Sequence, residues 1–88
     1  MPKVVLTHGV VDIERWLQGK ADRAAAITGF GSDVSDHVAA DGSNQVAITA
    51  QVDDLEGLEA MLASPPPEIA TKMESHGVIP PVVVYIER

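Results

Sequence analysis

Apolar and polar residues alternate with a period of two in several stretches of this chain, and between them the spacing turns helical. Val4, Leu6 and His8 alternate with Val5 and Thr7, which predicts a strand over residues 3–9. Asp12 then suits a helix N-cap, and Ile13, Trp16 and Leu17 follow at helical spacing. Gly19 weakens that helix, which either ends there or continues through the helix-favouring run Arg23-Ala24-Ala25-Ala26 to Ile27. Thr28-Gly29-Phe30-Gly31 is a break. A second strand falls within 32–40, with Val34 and Val38 on one face, and Asp41-Gly42-Ser43-Asn44 is a turn. The clearest strand covers 45–52: Val46, Ile48, Ala50 and Val52 face one way, and Ala47, Thr49 and Gln51 the other.

The second half repeats the helix-then-strand order. Asp53 to Glu56 is a variant of the capping box, and Leu55, Leu58, Met61 and Leu62 supply a buried stripe. Pro65-Pro66-Pro67 splits this helical segment, because proline is tolerated only in a first turn. Ser64 is read as the cap of a separate short helix carrying Ile69 and Met73. His76-Gly77 stops it, and a last strand covers 81–87.

The order β-α-β-β-α-β predicts an α+β, ferredoxin-like fold with a four-stranded antiparallel sheet in the order 4-1-3-2. Val4, Leu6, Val46, Ile48, Ala50, Val82, Val84 and Ile86 would face the helices. The opposite face carries Val5, Thr7, Ala47, Thr49, Gln51, Val83 and Tyr85. Val5, Ala47 and Val83 are poor choices for a solvated face, so a homodimer through sheet faces, a dimeric α+β barrel, is expected.

Eighty-eight residues make one domain, small enough that association is a common remedy for a modest core. With one Trp, one Phe and one Tyr, that core rests on aliphatic side chains and Met. The net charge of −7 and six scattered Lys and Arg disfavour nucleic acid and anionic membrane surfaces as partners. With no cysteine there is no disulfide, thiolate ligand or Cys nucleophile. The chain opens Met1-Pro2-Lys3 and runs straight into a strand, with no signal-peptide apolar region and no membrane-length segment, so a cytoplasmic location is expected.

Val10-Val11-Asp12-Ile13-Glu14-Arg15-Trp16 resembles the segment V-x-D, then an aromatic or aliphatic residue, then x-x-W, of small dimeric α+β barrel proteins related to the antibiotic-biosynthesis monooxygenases. Asp53-Asp54-Leu55-Glu56 after a strand, Ser64-Pro65 before a helix, and His76-Gly77-Val78 before a proline and the last strand extend that resemblance over most of the chain. It implies the dimeric fold. It also implies a possible cofactor-independent, monooxygenase-like chemistry on polycyclic substrates, although the family's pocket residues do not map onto this chain one by one and the family includes members without assigned activity.

The candidate chemistry starts at His8, the one polar residue on an otherwise apolar strand face, close to the start of the first helix. It is either an acid/base or ligand-binding group in a cleft between sheet and helices, or a core histidine satisfied by the backbone or Asp12. Trp16 lies on the Ile13/Leu17 stripe, which suits a core residue, and its indole N–H needs a partner that a cleft edge would supply. If a cleft opens, His8 and Trp16 line it with Leu58, Met61 and Met73, and an apolar or aromatic small molecule is its expected ligand. Tyr85 on the other face suits a dimer contact. His8, His37 and His76 could meet at one edge of the domain, but their spacing matches no metal motif and His76 suits a helix C-terminus. No metal and no cofactor is therefore expected. No nucleophile–base spacing or phosphate loop is present. Two functions stay open: a small-molecule-binding protein or cofactor-independent enzyme, and a non-catalytic dimeric structural or regulatory module.

Overall fold

The computed structural model describes residues 2–88. Its elements are β1 (Lys3–Val10), α1 (Ile13–Leu17), α2 (Lys20–Thr28), β2 (Gly31–Val38), β3 (Gln45–Val52), α3 (Leu55–Ala63), α4 (Pro67–Ser75) and β4 (Val78–Ile86). The strands form one antiparallel sheet in the order β2-β3-β1-β4, the ferredoxin-like arrangement the alternation predicts. The longest apolar alternations, in β1 and β3, occupy the two central places, where the helix-facing side chains Val4, Leu6, Val46, Ile48, Ala50 and Val52 are buried. Trp16, Ile27 and Leu58 close over them from α1, α2 and α3. Val82 and Val84 of β4 pack against this core without being fully covered.

Four boundaries differ from the sequence reading. The first helix neither simply ends at Gly19 nor continues through it: α1 stops at Leu17 and α2 restarts at Lys20 with Gly19 as its N-cap. A Cβ on Gly19 would overlap the His76 ring, so the break lets α4 approach α2 closely. Ser64 does not cap α4. It ends α3, its N–H bonding to Ala60 O, and Pro66 takes the cap position with Pro67 as the first helical residue. A proline there forfeits no helical bond, so no side-chain cap is required. The acidic cap of α3 is Asp54, which accepts from Gly57 N.

β4 starts at Val78, not Pro81, and contains the prolines. This is tolerated because β4 is an edge strand. Thr7 pairs with Val83 and Gly9 with Ile79, so His8 alone stands opposite Pro80, Pro81 and Val82. That is a wide bulge beside His8. A second bulge lies at the other edge: Ser32 pairs with Gln51 and Ser35 with Thr49, leaving Asp33 and Val34 opposite Ala50, with Asp33 at φ 56°.

α4 buries none of its residues fully and is fastened by its C-terminal end. Arg15 donates from Nε to Ser75 O at 2.6 Å and from Nη2 to Glu74 O at 2.9 Å, adding to the bond that Glu74 O already accepts from Gly77 N. Gly77, at φ 74°, turns the chain into β4. Among the described residues no helix is long and apolar enough to cross a membrane.

The Gly19–His76 contact makes a prediction. Gly19→Ala should destabilise the fold by about 1–3 kcal/mol through overpacking. His76→Ala in the same chain should recover part of that loss, because the two sites couple directly. Urea unfolding of the two single variants and the double variant measures the coupling; strictly additive losses would mean that the ring moves aside without cost.

Candidate functional site

A cavity of about 80 Å³, open on one side, lies between the sheet and the helices. The sheet contributes Leu6, His8, Ile48 and Val82 to its wall. α2 contributes Arg23, Ala26 and Ile27, α3 contributes Leu58, Met61 and Leu62, and α4 contributes Ile69 and Met73; His76 and Val78 close the end. Alternation in β1 and β3 aims the sheet residues inward, and the split at the prolines leaves two short helices as a thin roof.

Of the residues expected to line a cleft, His8, Leu58, Met61 and Met73 share this wall. Trp16 does not, which corrects the expectation for it. Its side chain is fully buried, with the Arg23 guanidinium of α2 over its ring, and does not line the cavity. Its Nε1 is the one buried side-chain nitrogen or oxygen among the described residues without a hydrogen-bond partner. The core reading of Trp16 is thus the one its burial supports.

His8 is held by the backbone, as a core histidine would be, and it also borders the cavity. It is only 6% exposed, and its Nδ1 donates to Gly9 O at 2.9 Å, so the backbone does satisfy it. That bond fixes the neutral tautomer with Nε2 as an acceptor, and no donor among the described residues reaches Nε2. Burial lowers the imidazole pKa from 6.5; the Gly9 bond opposes this, and the Arg23 charge lowers it further. The ring stands edge-on to Trp16, with centroids 6.0 Å apart and an interplanar angle of 73°.

The pairing of Arg23 with Asp36 is what sequence reasoning passed over. Arg23 donates from Nη2 to Asp36 Oδ2 at 3.0 Å and, more weakly, from Nε to Oδ1 at 3.4 Å. Its Nη1 donates to Trp16 O at 2.5 Å, and its guanidinium lies 3.9 Å from the Trp16 ring centroid. The two side chains of the pair are 9% and 2% exposed. A signal was present: Asp36 shares the inward row of β2 with Val34 and Val38, and an inward carboxylate needs a cation.

The three histidines do not meet. His37 is exposed and pairs with Ala47, on the face away from the helices. His76 borders the cavity but directs Nε2 toward Asp22 Oδ2 at 3.4 Å, and Lys72 Nζ lies 3.7 Å from Asp22 Oδ1. Among the described residues no group of three or more His, Cys, Asp or Glu is placed to hold a metal ion.

No protein-family model matches the chain, and no curated protein does. A solved structure is similar: a crystal structure from Deinococcus radiodurans titled "putative antibiotic biosynthesis monooxygenase" aligns over 97% of this chain and 90% of that one, with a TM-score of 0.58 and 14% identity. The two chains share one fold. At that identity the likeness establishes the monooxygenase-like, ferredoxin-type architecture, and chemistry has to be argued from the cavity itself.

The state of His8 predicts a pH dependence. Its folded pKa lies below the 6.5 of the unfolded chain, so the unfolded state binds the proton first as pH falls. The stability contribution is complete above 6.5 and declines as pH drops from there toward the lowered folded value. His8→Gln, which cannot titrate, should flatten that part of the profile. Urea midpoints for both proteins from about pH 7.5 to about pH 5 measure it; parallel profiles would show that His8 keeps an ordinary affinity for protons in the fold.

Proposed function

We propose that the chain binds a small apolar molecule in the cavity between its sheet and helices, with His8 Nε2 as the polar contact. The observation that carries this reading is a neutral imidazole, buried in an apolar wall, whose second nitrogen no donor among the described residues reaches. Pockets of this make-up orient ligands by a few polar groups set among apolar walls. The fold likeness supports a further step, cofactor-independent oxygenation, in which Nε2 would take a proton from the bound molecule before it meets dioxygen. Binding is common to a carrier and to such an enzyme, and binding is what the test reads. In methyl NMR spectra, a panel of small apolar and aromatic compounds should give saturable shifts of the Met61 and Met73 methyls. His8→Ala should weaken those hits by about tenfold. A panel that leaves both methyls unmoved would favour the non-catalytic structural or regulatory module.

We also propose a homodimer through the sheet face opposite the helices. That face carries Val5, Thr7, Ala47 and Thr49, and along β4 it exposes Ile79, Val83 and Tyr85 at 47%, 42% and 57%. Ser35, Thr49, Val5 and Tyr85 form one row across the sheet, and His37, Ala47, Thr7 and Val83 the next. Light scattering should give twice the 9.3 kDa chain mass. Thr49→Arg, which places an unpaired charge mid-face at a cost of several kcal/mol, should give a monomer or aggregate. A wild-type chain that stays at its own mass at high micromolar concentration removes the dimer.

A further inference from the structure

Three ionisable side chains border the cavity, and two of them are already engaged. Arg23 directs three of its donors to Asp36 and the Trp16 carbonyl and lays its face on the Trp16 ring. Its charge is matched by Asp36 at 3.0 Å. His76 turns Nε2 to Asp22. An anion entering here would find no free cation and would lie near the Asp36 charge. A cation would find no carboxylate on the wall. What remains on the wall is His8, whose Nδ1 is spent on Gly9 O; its Nε2 is an acceptor, so a ligand that reaches it must bring a donor.

Size narrows the class further. A closed apolar cavity of about 150 Å³ holds benzene. This one measures about 80 Å³, roughly half of that, and is open on one side, so a single ring already fills it with one edge in the opening, and a second fused ring would lie outside the apolar wall. Met61 and Met73, the adaptable side chains of the wall, lie on the roof helices and let it adjust by small amounts.

We infer that the cavity selects a neutral, single-ring compound carrying one O–H or N–H donor, which His8 Nε2 receives. This rests on the binding reading above and adds charge, donor and size to it. The probes are phenol, toluene, benzoate, benzylamine and 2-naphthol, each titrated into the full chain and followed by the methyl signals of Met61 and Met73. Phenol should bind at least about fivefold more tightly than toluene, because toluene would cover the His8 acceptor and leave it unpaired. Benzoate, benzylamine and 2-naphthol should each fall below phenol. In His8→Phe, which keeps a ring and removes the acceptor, the gap between phenol and toluene should close. If that variant does not fold, the comparison of phenol with toluene in the wild-type chain decides alone. Toluene, benzoate, benzylamine or 2-naphthol equalling phenol overturns the class and leaves the binding site standing. If none of the five binds, the binding site fails and the class with it.

Discussion

The contact that the rest of this structure leans on is the buried pair Arg23–Asp36. It joins α2 to the edge strand β2, and through the Trp16 carbonyl and ring it joins both to α1. Each ion costs several kcal/mol to desolvate, which their mutual attraction offsets only because the geometry is good. The asymmetry matters more than the net value. Loss of one partner leaves an uncompensated charge in the interior, at about 3–5 kcal/mol, a large share of the stability of a domain this small. The pair therefore admits one placement of α2 over the sheet, and that placement puts Arg23, Ala26 and Ile27 along one wall of the cavity. The same guanidinium charge helps to keep His8 neutral.

The cavity exists because its roof is thin. One continuous helix over this sheet would lay down a longer apolar stripe. Here the prolines divide it, α3 buries only Leu58 fully, and α4 buries nothing fully. α4 holds its place through polar contacts at one end: Arg15 on its last carbonyls, and Asp22 between Lys72 and His76. Exposed ion pairs of this kind contribute little each, so the roof is the least firmly held layer of the fold.

How much of this was legible in the sequence follows from which physics was local. β1 and β3 were readable because both are central strands with one buried face, so a period of two is enforced over their full length. The order of elements and of strands came with them. Boundaries set by tertiary contacts were not readable. The restart at Gly19 depends on His76, far along the chain, and the early start of β4 depends on its edge position tolerating prolines. His8, Leu58, Met61 and Met73 could be placed together by topology, whereas Trp16 could not be assigned to wall or floor, because helical spacing gives a face and not a depth. Arg23 and Asp36 were obscured for a different reason. Each looks like a surface charge in isolation, and only their juxtaposition explains why either is buried.

The two edges of the sheet share a property with consequences beyond the cavity. An open edge strand presents a row of free amide donors and carbonyl acceptors, a template onto which another chain can add. On β4 that row is interrupted by Pro80 and Pro81, which have no amide to offer. On β2 it is interrupted by the bulge at Asp33. Neither edge offers an unbroken ladder over its full length, so backbone geometry rather than added charge weakens both margins of a valine- and isoleucine-rich sheet as templates for cross-β growth.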